Sequence, residues 1–423
     1  MKQTISIIGL GYVGLPLAVA FSKYFKVIGY DISKNRVSQL KSGFDSNKEF
    51  SKKKINLLKN LKFTNQIQKT KNSEIFIITV PTPIFKNNLP NLNFLKKACE
   101  QVAKNIKYKS TIIFESTVYP GCTEDFCVPI IEKISKKKLN KDFFVGYSPE
   151  RINVGDKKHG LENITKIVSS STNNSLKKIT KIYSKIIKSG VHQCKNIKTA
   201  EAAKAIENAQ RDINIAFINE VGSIFSKLNI SLHEVLDAAN TKWNFLDFKP
   251  GLVGGHCIGV DPYYLTYCAK KIGFNPKLIN AGRNTNDNMS LKFAEFFLKS
   301  IKKNFGKKLK INLLILGLSF KENTNDIRNS KVFDLAKYLK KKGSNVDIYD
   351  PLIDQKIENR NFKFFNSFNL KRKYHGVFFA VPHKIIIENL NKILKLTYKN
   401  SIIFDLKNIL KSSKFSNKNI LKF

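Results

Sequence analysis

Ile5-Ser-Ile-Ile-Gly9-Leu-Gly11-Tyr-Val-Gly14-Leu-Pro16, with Asp31 closing the next apolar run, is the stretch from which the rest of the chain can be read. A β-branched run leads into three glycines at Gly-x-Gly-x-x-Gly spacing. A segment of helical spacing follows, with Pro16 tolerated in its first turn. Asp31 lies 20 residues beyond Gly11. Strand, glycine turn, helix, strand and acid together form a dinucleotide fingerprint. The glycines allow a tight turn and close approach of the backbone, the helix N-terminus meets the pyrophosphate, and the carboxylate accepts from ribose hydroxyls. Gly9, Gly11, Gly14 and Asp31 are therefore candidate cofactor residues. Asp31 favours NAD over NADP. Arg36 leaves an opening for a 2′-phosphate or is an ordinary helix-surface charge.

Outward from this stretch, short apolar runs alternate with helical segments, the pattern of a parallel sheet with crossover helices. The strand candidates are 4–8, 27–31, 74–80, 110–115 and 143–147. The last third repeats the first in the same order. Residues 311–317 echo 5–9, 346–350 echo 27–31, 377–382 echo 77–81, and 401–405 echo 111–115. Four matches in register predict two similar doubly wound domains. Between them, residues 199–227 read as one long helix with Thr199 as N-cap. Ala202, Ala205, Ile206, Ala209, Ile213, Ala216 and Phe217 are its expected buried stripe. Lys204, Asn208 and Arg211 share another face. The expected fold class is α/β, with two Rossmann-like doubly wound domains joined by a long central helix and a helical middle domain. The expected bounds are 1-195 for the cofactor domain, 196-300 for the central helical domain and 301-423 for a second nucleotide-type domain.

Composition narrows the function. A formal charge of +42 would suggest a nucleic-acid binder, but only seven of the 74 basic residues are arginine. The lysines are spread beside many Asn, Ile and Phe, all with A/T-rich codons, and no compact basic motif accompanies them. No nucleic-acid partner is expected. The apolar N-terminus imitates a secretory signal, but glycines and Pro16 interrupt it, so it reads as structure. No uninterrupted apolar stretch is long enough to span a membrane. Six cysteines without CxxC or metal spacing predict reduced thiols, a cytoplasmic chain and no metal.

One of these cysteines stands apart. Gly251-Leu-Val-Gly-Gly-His-Cys-Ile-Gly-Val-Asp-Pro-Tyr-Tyr264 sets Cys257 among four glycines, with Asp261 four residues on. A cysteine there is either a small hydrophobe in a tight turn or a thiol that substrate can reach. An enzyme that oxidises an alcohol only to the carbonyl needs no thiol. One that continues to a carboxylate captures the aldehyde as a thiohemiacetal before a second hydride leaves. Further polar residues sit at predicted strand ends, where ligands of open α/β sheets bind: Thr79 and Thr82, Glu115-Ser116-Thr117, and Ser148-Pro-Glu150-Arg151. In the second domain the first turn has one glycine and two cations, Lys321 and Arg328; Lys321 would meet the negative charge of a nucleoside diphosphate there, or either cation is a solvated surface charge.

These motifs, in this order, resemble the UDP-glucose/GDP-mannose dehydrogenase family over nearly the whole chain. The Ser-Pro-Glu-Arg-Ile-Asn segment and Glu207-Asn-Ala-Gln-Arg-Asp-Ile-Asn-Ile-Ala216 resemble its branch oxidising UDP-N-acetylhexosamines for capsule and O-antigen. Val154, where that branch usually has proline, is a departure. The resemblance implies NAD-dependent four-electron oxidation of C6 of a UDP-sugar, with Cys257 as nucleophile. Asp261, Lys204, Asn208 and Glu150 assist. It places Val13, Asp31, Arg36, Thr82, Ser116, Thr117 and Arg328 around NAD. Lys321 and the 245–254 segment, with Phe245, Gly251 and Gly254, would meet the UDP-sugar, and Arg151 its N-acetyl group. The long helix offers a surface for self-association, so a homodimer or higher homo-oligomer is expected. UDP-glucose and GDP-mannose are the alternative substrates within the family. A two-electron hydroxyacid dehydrogenase would also use a Rossmann domain and a long helix, but would need neither Cys257 nor the second nucleotide-type domain. A non-catalytic NAD- or nucleic-acid-binding protein would leave Lys204, Cys257 and Asp261 without a task.

Overall fold

The computed structural model describes residues 3–152, 160–306, 310–354, 362–410, 419–421 and 423. Asn153 and Val154 lie outside them. The chain divides into two compact units, one of residues 1–207 and 263–274, the other of 208–262 and 275–423.

In the first unit, β1 (Thr4–Ile8), β2 (Lys26–Tyr30), β3 (Leu61–Thr64), β4 (Ile75–Ile78), β5 (Ser110–Phe114) and β6 (Phe143–Tyr147) pair in parallel. β7 (Lys166–Ser170) runs antiparallel to β6, and β8 (Val191–Gln193) parallel to β7. The order is β3-β2-β1-β4-β5-β6-β7-β8. The chain leaves β1 in one direction along the sheet and returns past it, so the crevice between β1 and β4 is the topological switch point where such sheets bind ligands. β1, β4 and β5 are buried on both faces, which is why they read as short Ile-rich runs.

In the second unit, β9 (Asn312–Leu316), β10 (Asn345–Tyr349), β11 (Lys363–Phe365), β12 (Tyr374–Phe379), β13 (Thr397–Asp405) and β14 (Asn419–Leu421) are all parallel, in the order β11-β10-β9-β12-β13-β14. The four repeats read from sequence occupy equivalent places in the two sheets: β1 with β9, β2 with β10, β4 with β12 and β5 with β13. The helix Lys277–Phe305 packs Met289, Phe293, Phe297 and Ile301 into the core of this unit. The rings of Phe297 and Phe378 lie 5.4 Å apart and those of Phe378 and Phe404 4.7 Å, in edge-to-face arrangements.

The two Rossmann-like sheets and the long helix agree with the sequence reading, with three corrections. β3, β7, β8, β11 and β14 were not among the expected strands. They are three to five residues long, and all except β7 carry exposed positions, so they lack the continuous apolar run that marks the central strands. The long helix is Ile197–Leu228. Its N-cap is Asn196 rather than Thr199, because the Asn196 Oδ1 accepts the Thr199 N–H at 2.8 Å and its hydroxyl at 2.9 Å. Ala205, Ala209 and Ala216 are buried as expected, but Ile206 and Phe217 are each 61% exposed. Each follows a buried alanine by one residue, a step of about 100° round the helix that carries it off the buried face.

Candidate active site

The turn after β1 is built as its glycines require. The Gly9 N–H bonds the Tyr30 carbonyl at 2.8 Å, and the helix Gly14–Ser22 begins with Val13 as its cap residue. A Cβ on Gly14 would strike the Gly9 carbonyl oxygen and the Thr79 hydroxyl, so only glycine lets the helix start here. Thr79, at the end of β4, donates its hydroxyl to the Gly9 carbonyl at 2.8 Å and pins the loop across the switch point. At Gly11 the space a side chain would take is open. The Asp31 Oδ2 accepts the Leu10 N–H at 2.8 Å, which fixes the carboxylate beside the turn while leaving Asp31 partly exposed. An open glycine face, a helix N-terminus and a fixed carboxylate together fit NAD.

Arg36 is not an ordinary surface charge. Its Nε donates to the Leu10 carbonyl at 2.9 Å and its Nη1 pairs with Asp45 at 2.8 Å. It braces the outer side of the cofactor turn. The other strand ends are likewise braced. The Thr82 hydroxyl donates to the Thr117 carbonyl at 2.7 Å, and that of Ser116 to the Val80 carbonyl at 2.6 Å. The Tyr264 hydroxyl donates to the Thr82 carbonyl at 2.8 Å. Sequence reasoning passed over Tyr264, although it lies in the quoted loop; nothing in a Tyr-Tyr pair announces a long-range bond.

Glu115 and Glu150, at the ends of β5 and β6, meet on one lysine that the sequence did not single out. The Lys166 Nζ lies 2.8 Å from Glu115 Oε2 and 3.2 Å from Glu150 Oε2. The Tyr183 hydroxyl donates to the other oxygen of Glu115. The Glu115 side chain faces the interior, not a ligand. Burial drives its carboxyl up to about 7, against the pull of Lys166. Arg151 pairs with Glu207 at 2.7 Å and donates to the Thr165 carbonyl at 3.0 Å. Lys204 is buried on the long helix one turn before Asn208.

The second unit carries the thiol. Cys257 is exposed, whereas Cys99, Cys122, Cys127 and Cys194 are buried and Cys268 is intermediate. Burial pushes the Cys127 thiol well above its usual range, the setting of an inert cysteine. Gly255 has φ +81°, and the Phe320 ring lies 2.6 Å from where its Cβ would be, so the backbone turns here only as glycine. The carbonyl of Cys257 accepts the N–H groups of Val260 at 3.0 Å and Asp261 at 2.8 Å, a single turn that sets Asp261 behind the cysteine at the start of the helix Asp261–Lys271. Asp261 is 2% exposed, and its Oδ2 accepts the Asn208 carboxamide at 2.5 Å. The structure thus joins Cys257, Asp261 and Asn208. At the other end of the loop, the Asn219 carboxamide accepts the Gly251 N–H and donates to its carbonyl, both at 3.0 Å. Asn219 was also missed, since one asparagine inside a helix carries no distinguishing pattern. Phe245 is half-buried, and a Cβ on Gly254 would sit 2.6 Å from the Asn329 carbonyl. Lys321 follows β9 in the loop, half-buried, and Arg328 forks onto Asp326 through Nε and Nη2. Burial, with the Arg328 cation adding, holds the His256 imidazole below its usual value.

Comparison with known proteins agrees with this architecture. Residues 3–187 match the NAD binding domain of the UDP-glucose/GDP-mannose dehydrogenase family, 198–288 its central domain and 314–412 its UDP binding domain. The chain is 47% identical over 420 residues to Protein CapL of Staphylococcus aureus, with 98% of each chain covered. It is 47% identical over 408 residues to a UDP-N-acetyl-D-glucosamine 6-dehydrogenase of Salmonella typhi, covering 96% of each. Among solved structures it is similar to a UDP-D-ManNAc dehydrogenase from Pyrococcus horikoshii, with a TM-score of 0.88, 29% identity and 99% of each chain covered. No described helix is long and apolar enough to cross a membrane. A dinucleotide turn in one unit, a nucleotide-type sheet in the other and matches along almost the whole chain converge: the chain belongs to the UDP-glucose/GDP-mannose dehydrogenase family and is an NAD-dependent UDP-sugar oxidoreductase.

Proposed function

We propose that this enzyme oxidises C6 of a UDP-N-acetylhexosamine, UDP-GlcNAc or UDP-GalNAc, to the uronic acid for surface polysaccharide synthesis. The observation that carries the reading is the exposed Cys257 thiol one backbone turn from a buried Asp261. A dehydrogenase that stopped at the carbonyl would have no use for it. The names of the relatives from Salmonella typhi and Pseudomonas aeruginosa, both UDP-N-acetyl-D-glucosamine 6-dehydrogenases, support the substrate class.

NAD, when bound along Gly9, Gly11, Val13, Gly14 and Asp31 with Thr82, Ser116, Thr117 and Arg328 as further contacts, supplies the hydride acceptor for both oxidations. A water held by Asp261 or Lys204 takes the proton of the C6 hydroxyl in the first. The Cys257 thiolate then adds to the aldehyde carbon. The Lys204 ammonium and the second N–H of the Asn208 carboxamide receive the negative oxygen, the first N–H being held by Asp261. Departure of a second hydride leaves a thioester on Cys257. Asp261 takes a proton from water as it adds to this carbonyl, the carbon–sulfur bond breaks, and thiolate and carboxylate separate. Glu150 positions water or assists proton movement. Lys321, Phe245, Gly251 and Gly254 hold the UDP-sugar and Arg151 its N-acetyl group. One alcohol, two NAD and one water give one carboxylate, two NADH and three protons. Purified enzyme should therefore yield two NADH per sugar, with kcat/KM higher for UDP-GlcNAc or UDP-GalNAc than for UDP-glucose or GDP-mannose. One NADH per sugar would defeat the mechanism, and UDP-glucose as the better substrate would defeat the specificity.

The same reading makes the enzyme a cytoplasmic homodimer or higher homo-oligomer. Ile206, Phe217, Ile224 and Leu228 of the long helix are all at least half exposed and recur at the spacing of one helix face. Phe217→Lys should shift the mass measured by light scattering towards the monomer; an unchanged mass would exclude this face.

A further inference from the structure

The position of Lys166 follows from the reversal of β7 in the first sheet. Because β7 runs antiparallel to β6, with Gly146 opposite Ser170 and Tyr147 opposite Ser169, the start of β7 returns to the end of the sheet where β6 finishes. Continued by three residues, that register sets Lys166 across from Glu150. The Ser148 hydroxyl, donating to the Ile167 carbonyl at 2.7 Å, holds the two chains together beyond their last strand pair. A parallel strand would have begun at the opposite edge and delivered nothing here.

We propose that Lys166 is a positioning residue for the oxidation: bridged between Glu115 and Glu150, it fixes the Glu150 carboxylate at the ligand-binding edge of the first sheet. The inference rests on the proposed reading that Glu150 works on the substrate or its water.

Both carboxylate oxygens of Glu150 have partners that set its direction. Its Oε1 accepts the N–H groups of Arg151 at 2.6 Å and Ile152 at 2.7 Å, and its Oε2 faces the Lys166 ammonium at 3.2 Å. Lys166 is 3% exposed, and burying an ammonium is costly unless anions are close. Burial acts to lower its pKa, but Glu115 and Glu150 outweigh it and hold the lysine above its ordinary value, so it stays charged. Two carboxylates share this single cation. Glu115, with the Tyr183 hydroxyl on its other oxygen, keeps a proton into the neutral range. When Glu115 is protonated, Lys166 serves Glu150 undivided; when it ionises, the cation is shared. Among the described residues, Arg151 next to Glu150 in the chain pairs with Glu207 on the long helix.

The test is a mutant cycle in the full-length enzyme, read as kcat and as KM for NAD. Glu150→Gln should lower kcat by about 10²-fold or more, as loss of a group that handles protons does. Lys166→Met should lower it about 10- to 100-fold, the range usual when a partner orienting a working side chain is removed. KM for NAD should stay unchanged, and Lys166→Arg should restore most of the rate. Lys166→Met should slow the Glu150→Gln enzyme no further. An equal loss in both backgrounds, or a wild-type rate for Lys166→Met, overturns the inference. A wild-type rate for Glu150→Gln instead overturns the role of Glu150 itself, and the inference with it. Should Lys166→Met fail to fold, Glu115→Gln frees Lys166 from its second carboxylate by an isosteric change. Its kcat–pH profile should lack the inflection near neutrality that Glu115 gives the wild type, and an unchanged profile overturns the inference.

Discussion

The two sheets share an order, a turn and an acid, yet use the acid differently. After β1 and after β9 a glycine of positive φ sends its N–H to a tyrosine carbonyl of the neighbouring strand, Gly9 to Tyr30 at 2.8 Å and Gly317 to Tyr349 at 2.9 Å. The next residue is a leucine whose N–H meets the aspartate ending that strand, Leu10 to Asp31 at 2.8 Å and Leu318 to Asp350 at 2.7 Å. There the likeness stops. Asp31 is partly exposed. Asp350 is fully buried, and its Oδ2 also takes the Ser319 N–H at 3.1 Å and the His383 Nε2 at 3.0 Å. Because the His383 Nδ1 accepts the Asn323 N–H at 2.8 Å, Nε2 bears the hydrogen and donates to the aspartate. In the second sheet an imidazole closes over the acid, whereas in the first the acid stays partly open to solvent. One topology therefore supports a partly open acid and a buried structural acid, and the difference lies in side chains rather than strand order.

The largest effect that could break this division is at Cys257, on the second unit. Cys257→Ala should abolish uronic acid formation while NAD binding, measured by titration calorimetry, stays near wild type. Cys257→Ser should trap a sugar ester, visible as added mass on the protein, because an ester hydrolyses more slowly than a thioester. A wild-type rate for the alanine variant would make the cysteine a bystander.

Next in size is the aspartate pair. Asp31→Asn should weaken NAD binding about tenfold or more, by roughly 1.5–3 kcal/mol for lost hydrogen bonds to a charged group, with little change in melting temperature. Asp350→Asn should do the reverse, leaving KM for NAD unchanged and lowering stability by about 1–3 kcal/mol as buried N–H donors lose their anion. Equal effects of both variants on NAD affinity would erase the distinction.

The smallest effect is in the pH dependence of melting. In the first unit Glu201 accepts the N–H groups of Gly121 and Thr123, and burial lifts its carboxyl from an ordinary 4.5 to about 7. The folded state then keeps a proton that the unfolded chain releases, so this group's contribution falls as pH rises from 4.5 to 7. In the second unit burial acts to raise the Asp326 pKa, but the bonds from Arg328 outweigh it and the value is lowered. Its contribution is present above the ordinary aspartate range and is lost as pH falls. Wild-type melting temperatures, each compared with Glu201→Gln or Asp326→Asn, should therefore diverge by a few degrees in opposite directions along the pH axis. A pH-independent difference for either variant would refute the assignment.

The sequence by itself determined the parts that depend on local chemistry. Gly9, Gly11, Gly14 and Asp31 specify a turn, a helix start and an acid within one short run, and Cys257 stands in a glycine loop that no core cysteine needs. The repeat of β1, β2, β4 and β5 in β9, β10, β12 and β13 was legible because strands buried on both faces leave continuous apolar runs. What tertiary structure alone decided are pairings between residues far apart in the chain. Asn196 was a matter of one turn, but Lys166 reaching Glu115 and Glu150 depends on the reversal of β7, which a five-residue run does not announce. Asn219 at Gly251 and His383 at Asp350 are of the same kind. A periodic pattern records which way a side chain faces relative to its own helix or strand; it holds no information about which distant polar atom will be brought within 3 Å. Burial then makes those bonds obligatory, because a polar group removed from water costs free energy unless it finds a partner.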